Sequence, residues 1–208
     1  MEILLSSAYL PPIEYMRILA SEEKVILEAN ENFIKQTWRN RCRIVTSNGS
    51  LDLSAPVLKS KGSKTPIQEV LFSDQESWSI KHWRAIESAY NASPYFLYYK
   101  DELENLICNP QQNLFSHNLS LIELLCDLIG ITPKIILSES YIKTENCRYR
   151  DLRDVIHPKK DDLFNKESYV QVFAEKMSFV GKGISVLDLL FNLGPDTLDY
   201  LEKIDLQF

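Results

Sequence analysis

Residues 3–29 read ILLSSAYLPPIEYMRILASEEKVILEA, and this stretch decides the fold class. The apolar run at its start predicts a strand over residues 3–7, which Pro11-Pro12 separate from the next apolar segment. Apolar residues at helical spacing predict a helix from Ile13 to Ala20, and residues 24–29 predict a second strand. A strand, loop, helix and strand in this order favour two parallel strands joined by a crossover, which is typical of α/β proteins.

A β-hairpin comes next, and Asn48-Gly49 marks its turn because both residue types tolerate positive φ. We expect these two residues to occupy the central positions of the turn. The cross-strand pairs would then be Thr46 with Leu51, Ile44 with Leu53, Cys42 with Ala55, and Asn40 with Val57. Most of the face that these pairs form is apolar, so it is the face that we expect to be buried.

The other face of the hairpin is basic. Alternate residues of a strand point to the same side, so Arg39, Arg41 and Arg43 are predicted to form a row. Guanidinium groups bind phosphate or carboxylate through paired hydrogen bonds. The row is therefore a candidate anion clamp, with Lys35 as an additional point charge. The alternative is a solvated strand whose charges deter aggregation.

The remaining segments predict helices over residues 78–91 and 113–129, strands over 134–138 and 169–173, and helices from Ser185 to about Asp205. Residues 139–168 are charged and weakly patterned, which indicates a long loop with a short helix. The chain is therefore predicted to be an α/β protein with a mixed sheet, an N-terminal β-loop-α-β unit, a β-hairpin and helices packed around the sheet. We expect a single domain over residues 1–208.

The composition excludes several classes of protein. The chain has 208 residues, of which 45% are hydrophobic and 25% charged, and these values suit one packed domain. No apolar run reaches the roughly 18–20 residues of a transmembrane segment, and no secretory signal is recognisable, so we expect a cytoplasmic protein. The net charge of −6 opposes nucleic-acid binding. The four cysteines and three histidines lack metal-ligand spacing, so we expect neither a metal nor a cofactor.

Three further features are candidates for a site. Tyr9 and Tyr15 flank the point where the first strand leads into a helix, a common ligand-binding region, although both rings also suit core packing. His82 is the general-base candidate, although its mostly apolar helix face also suits a hydrogen-bonded core residue. Arg153, in the long loop, either faces a ligand or joins surface ion pairs.

Several of these stretches resemble the WbqC-like family of bacterial proteins. The similar segments are Ala8-Tyr9-Leu10-Pro11-Pro12-Ile13-Glu14-Tyr15, Lys35-Gln36-Thr37-Trp38-Arg39-Asn40-Arg41, Pro56-Val57, His82-Trp83, Tyr90-Asn91-Ala92-Ser93-Pro94-Tyr95-Phe96, and Ser185-Val186-Leu187-Asp188-Leu189-Leu190-Phe191-Asn192 with Gly194-Pro195. The most specific part is the K-Q-x-[WY]-R-N-R run, which lies C-terminal to the Y-x-P-x-x-x-Y element. The resemblance implies that Arg39, Asn40 and Arg41 bind a ligand. It also supports His82 as the general-base candidate.

Members of this family are encoded in O-antigen and other surface-polysaccharide clusters, and a glycine transferase role has been suggested for some. The resemblance therefore implies a transferase of surface-glycan assembly, which would move an acyl or glycyl group onto a nucleotide-linked or lipid-linked sugar. Its ligand would be a small anion such as a sugar nucleotide or an amino acid. The alternative is a non-catalytic module that binds such a ligand or docks onto glycan-synthesis enzymes. The lack of a recognisable nucleophile in the sequence favours that alternative.

Overall fold

The computed structural model describes residues 2–74, 77–145, 148–160, 164–165, 167–173 and 181–206. Its strands and longer helices, in chain order, are β1 (Glu2–Ser6), α1 (Ile13–Ser21), β2 (Lys24–Glu28), β3 (Arg41–Thr46), β4 (Gly49–Ser54), β5 (Val57–Leu58), β6 (Leu71–Phe72), α2 (Trp78–Tyr90), α3 (Phe96–Cys108), α4 (Leu114–Ile129), β7 (Lys134–Leu137), β8 (Tyr149–Asp151), β9 (Phe164–Asn165), α5 (Leu187–Leu193), α6 (Thr197–Lys203) and β10 (Asp205–Leu206). Buried apolar residues from Ile3 to Ile204 form one core cluster, in which α6 packs against α1.

A four-stranded sheet lies at the centre, in the order β7-β2-β1-β8, and each neighbouring pair is parallel. The predicted β1-α1-β2 unit is confirmed. Both of its strands are almost wholly buried, which explains their continuous apolar sequence. The carboxyl ends of the parallel strands meet at one edge of the sheet. Ser6, Glu28 and Asp151 end β1, β2 and β8 at that edge.

The predicted hairpin is present as β3 and β4, but its register differs from the prediction by two residues. Thr46 pairs with Gly49 and Ile44 with Leu51, so Ser47 and Asn48 are the central turn residues. Of the turn residues, only Gly49 has positive φ, at 112°, whereas a type I′ turn needs it at both central positions and a type II′ turn at the first. Because the side chains alternate with a period of two, this shift leaves each residue on its predicted face.

The parallel and antiparallel strands form separate sheets, with helices around them, so the α/β class is confirmed. The helices predicted from residues 78 and 113 are confirmed, and Asn113 caps the second by accepting a hydrogen bond from the Ser116 N–H at 3.0 Å. Helix α3 was not predicted. The longest described helix has 16 residues, and none in the described ranges has the length and apolar character of a bilayer span.

The predicted strand over residues 169–173 is wrong, since that segment has no strand structure. Its polar side chains turn instead toward Asp188 at the start of α5. The Tyr169 hydroxyl donates a hydrogen bond to Oδ2 of Asp188, and Nε2 of Gln171 donates to the same oxygen at 2.7 Å. Asp188 is buried, so these donors are needed to solvate its carboxyl group.

Candidate functional site

The segment over residues 33–40, which we call the motif loop, connects the sheet to the hairpin. The Thr37 hydroxyl donates to the Ile34 carbonyl at 2.9 Å, and Gln36 has a φ of 60°, which is unusual for a residue other than glycine. The Tyr9 N–H donates to the Trp38 carbonyl at 2.8 Å, so the loop after β1 is fixed to the motif loop. The motif loop therefore lies between the carboxyl edge of the sheet and the hairpin.

On the sheet side, Arg39 forms a buried ion pair with Glu31. Its Nε lies 2.8 Å from Oε1 of Glu31, and its Nη2 lies 2.6 Å from Oε2 and 2.6 Å from the Ser6 hydroxyl. The predicted row of three arginines is therefore wrong at Arg39, which is only 3% exposed. The reason is that β3 begins at Arg41, so Arg39 precedes the strand and its side chain reaches the end of β1 instead.

Arg153 lies in the same region and is also paired with carboxylates. Its Nη1 donates to Glu28 at 3.1 Å, and its Nε and Nη2 donate to the two carboxylate oxygens of Asp151 at 2.9 and 2.5 Å. The Tyr141 ring covers the guanidinium, 5.0 Å from its carbon atom. We call the set Glu28, Glu31, Arg39, Asp151 and Arg153 the ionic edge. Each arginine in it has carboxylate partners, so neither carries an unpaired charge for a ligand.

The ionic edge fills the crevice where α/β sheets commonly bind ligands. From β1 the chain passes to β2 and then to β7 on one side, and it returns to place β8 on the other side of β1. The connections therefore change direction between β1 and β8, which is where such sheets commonly bind ligands. At that point Ser6, Ser7 and Ala8 line a cavity together with both buried arginines, but its volume is only about 20 Å³. Such a space holds about one water molecule. A ligand would enter here only if the ion pairs separated.

Tyr9, Tyr15 and His82 are buried and hydrogen-bonded. The Tyr9 hydroxyl lies 2.9 Å from Nδ1 of His82, and the Tyr15 hydroxyl donates to the Ser6 carbonyl at 3.0 Å. Burial lowers the pKa of His82 to about 4, although a hydrogen bond to the Ser54 backbone opposes this shift. His82 is therefore neutral at pH 7. Its donation to the Ser54 carbonyl leaves Nδ1 as the acceptor of the Tyr9 proton, so its basic nitrogen is occupied.

On the hairpin side, the motif loop lines an open recess of about 350 Å³, which we call the cationic recess. Three predicted binding residues, Lys35, Asn40 and Arg41, lie together in its wall. The sequence did not single out Lys59, which also lines it. Nδ2 of Asn40 donates to the Ala55 carbonyl at 2.8 Å, which fixes the amide between the motif loop and the end of the hairpin. Three of the predicted residues also line the small cavity at the ionic edge, but two of those, Arg39 and Arg153, are paired with carboxylates.

The charges in the cationic recess are only partly neutralised. Lys59 lies 5.8 Å from the centre of the Phe33 ring, and the neighbouring Lys35 lowers the pKa of Lys59. Nη1 of Arg41 lies 3.5 Å from Asp52, but Asp52 is held more closely by Arg43, at 2.6 Å. In the described part of the chain, neither Lys35 nor Lys59 forms a salt bridge. Three cations thus face the recess with one shared carboxylate beside them.

Two other described recesses carry the opposite charge. One, of about 420 Å³, has Asp74 as its charged lining residue. The other, of about 230 Å³, lies beside the ionic edge and contains Asp154 and Glu31 together with the paired Arg153. The described residues also contain no cluster of three or more histidine, cysteine, aspartate or glutamate side chains arranged to hold a metal ion. The cationic recess is therefore the described cavity best suited to an anion.

Comparison with known proteins agrees with the resemblance seen in the sequence. The chain is 28% identical over 223 residues to "Uncharacterized protein Rv1507c" of Mycobacterium tuberculosis, and the match covers 95% of this chain and 96% of that protein. No solved structure matches the chain. The sequence model of the WbqC-like protein family matches residues 6–162, which include the loop after β1, the motif loop and the hairpin. The chain belongs to the WbqC-like protein family.

Proposed function

We propose that this protein binds a small anionic ligand in the cationic recess. The observation that carries the proposal is the grouping of Lys35, Arg41 and Lys59 around a cavity of about 350 Å³ with only Asp52 beside them. Cations that lack a matching number of carboxylates attract an anion, and the low-dielectric wall of a recess strengthens that attraction. A sugar nucleotide and an amino acid both carry a group of the required charge.

The family resemblance supports a role for this binding in surface-glycan assembly in the cytoplasm. In the transferase hypothesis, Lys35 and Arg41 hold the anionic part of a donor or acceptor, and Asn40 orients it. The amine or hydroxyl of a nucleotide-linked or lipid-linked sugar then attacks the carbonyl carbon of an acyl or glycyl group on an activated donor, and the donor's carrier leaves with the electrons of the bond that breaks. His82 would accept the proton of the attacking amine or hydroxyl, which requires that Tyr9 release its nitrogen.

A second candidate is a non-catalytic module that binds the ligand or docks onto glycan-synthesis enzymes. The position of His82 favours it, because this side chain is buried, is hydrogen-bonded to Tyr9 and does not line the cationic recess. The apolar side chains of Leu97 and Tyr98, 72% and 77% exposed, also offer a surface for a partner. Complementation of a deletion strain with His82→Gln separates the two candidates. Loss of the glycan modification by a folded variant supports the transferase, and retention supports the module.

The binding proposal is tested by thermal shift with sugar nucleotides, acyl-CoA compounds and amino acids, because a ligand that binds the native state raises the melting temperature. We expect at least one anionic compound to stabilise the wild-type protein. We expect Arg41→Ala to abolish most of this shift. Arg84→Ala is the matched control, since Arg84 is exposed on α2 and does not line the recess. Equal shifts in the wild type and Arg41→Ala would contradict the proposal.

A further inference from the structure

We propose that the cationic recess selects a phosphoryl dianion over a carboxylate, and that Lys59, which lines the recess together with Lys35, is the residue that makes the selection. This inference rests on the proposed anion-binding function and names the class of its ligand. It adds Lys59 as a specificity-determining residue, which neither the family motif nor the sequence pattern includes.

The first argument is the pairing of two lysines. Lys35 and Lys59 line the same recess, and neither forms a salt bridge in the part of the chain that the structure describes. Two other lysines, by contrast, have carboxylate partners. Lys61, in the same loop as Lys59, lies 3.0 Å from Glu69, and Lys24 forms an ion pair with Glu2. Two adjacent ammonium groups repel each other, and an anion that contacts both removes this repulsion.

The second argument is the number of donors. A carboxylate carries one negative charge on two oxygens in a plane, and a single guanidinium fork satisfies it. A terminal phosphoryl group carries almost two charges on three oxygens. It therefore has an acceptor for Lys35, another for Lys59 and a third for Arg41. The recess has three cations beside the shared Asp52. A dianion neutralises this net positive charge more completely than a carboxylate with a single charge does.

The third argument is the shape of the recess. Phe33 and Val57 line it beside the lysines, and the Lys59 amine lies over the Phe33 ring. The volume of about 350 Å³ exceeds that of a phosphoryl group alone, so a sugar or another ring attached to the phosphate would also fit. The lysine pair would hold the phosphoryl end, and the apolar wall would contact the attached group.

Isothermal titration calorimetry with inorganic phosphate and with acetate tests the selection. We expect phosphate to bind more tightly than acetate to the wild-type protein. We expect Lys59→Gln to weaken phosphate binding about tenfold, as for the loss of one charged hydrogen bond, and to change acetate binding little. Lys64→Gln is the matched control, because Lys64 is exposed in the same loop and lies outside the recess.

Proton uptake gives a second measurement that needs no variant. Lys35 of the motif loop and Arg41 of β3 line the recess with Lys59, Asp52 of β4 lies beside Arg41, and Lys35 lowers the pKa of Lys59. A bound dianion reverses that shift. Binding at about pH 9, just below the ordinary lysine pKa of about 10.4, is therefore accompanied by proton uptake. The uptake is measured by titrating in two buffers with different ionisation enthalpies.

The outcomes separate this inference from the function on which it rests. If acetate or glycine binds at least as tightly as phosphate and Arg41→Ala abolishes that binding, the recess binds anions but the inference is wrong. The inference is also wrong if Lys59→Gln and Lys64→Gln behave alike and phosphate binds without proton uptake. If no anion binds to the wild-type protein, both proposals are wrong.

Discussion

The Tyr9 hydroxyl and Nδ1 of His82 lie 2.9 Å apart in the interior of the protein. This contact joins the loop after β1 to helix α2, and the ring of His117 lies 6.2 Å from that of Tyr9. The two histidines differ in one respect. His82 is hydrogen-bonded, whereas both ring nitrogens of His117 are buried without a hydrogen-bond partner in the described structure. The family motifs at Tyr9 and His82 therefore meet in the core rather than in the cationic recess.

Leucine at the two histidine positions should change stability in opposite directions. His117→Leu removes two buried polar atoms that have no partner, so we expect the free energy of unfolding at pH 7 to rise by about 1 kcal/mol. His82→Leu leaves the Tyr9 hydroxyl without its partner, so we expect a loss of about 1–3 kcal/mol. Urea denaturation measures both values. Equal losses in the two variants would contradict the assignment of the hydrogen bond.

The same histidines should make the fold sensitive to acid. Burial lowers the pKa of both His82 and His117 to about 4, from an ordinary value of 6.5. Between these two values the unfolded chain binds more protons than the folded protein, so stability falls as the pH drops from 6.5 to 4. At about pH 4.5 the expected loss is on the order of 2 kcal/mol per histidine. His117→Leu should reduce the loss measured between pH 7 and 4.5, whereas an unchanged pH profile would show that His117 is not involved.

Gly183 should be far less tolerant of alanine than Gly62. Both have positive φ, at +68° and +61°, so the backbone strain of a side chain is similar, about 1–2 kcal/mol. A Cβ atom at Gly183 would lie 2.2 Å from the Trp38 ring of the motif loop, whereas nothing lies within 4 Å at Gly62. We expect Gly183→Ala to cost about 1–3 kcal/mol more than Gly62→Ala, because the contact overpacks the core. Thermal denaturation of both variants checks this, and similar melting temperatures would mean that Trp38 does not pack there.

Local patterns in the sequence predict much of this fold. The β1-α1-β2 unit follows from apolar periodicity and two prolines, and both are local properties of residues 3–29. The hairpin register was wrong because Asn48-Gly49 suits more than one turn, and backbone geometry selects among them. Helix α3 was missed because its first turn, Phe96 to Tyr99, consists of apolar and aromatic residues that indicate a packed cluster equally well.

The candidate site was predicted less completely, because ion pairing is not local. The burial of Arg39 depends on Glu31, and that of Arg153 on Glu28, which lies 125 residues away. One sequence signal was available for both pairs. A glutamate at or just after the end of an apolar strand needs a cationic partner once it is buried. Lys59 was missed because β5 brings it back beside the motif loop, and no spacing in the sequence reveals that return.

Charge around Arg41 should control anion affinity. Asp52 accepts hydrogen bonds from Arg43 and lies 3.5 Å from Arg41, so it partly neutralises both. Asp52→Asn should raise the affinity of the recess for phosphate about threefold, with a stability change within about 1 kcal/mol. Arg43→Gln should lower the affinity for phosphate, because Asp52 then neutralises the charge of Arg41 alone. Calorimetry at low ionic strength measures both, and a shift in the same direction for the two variants would contradict this account.

The position of anion binding is tested most directly by nuclear magnetic resonance. Phosphate titrated into ¹⁵N- and ¹³C-labelled protein should shift the side-chain signals of Lys35, Asn40, Arg41 and Lys59 in a saturable way. The signals of Arg39 and Arg153, which are already paired within the ionic edge, should move little. Saturable shifts at the ionic edge with none at the four recess residues, or no saturable shift at either place, would contradict the claim that the cationic recess is the binding site.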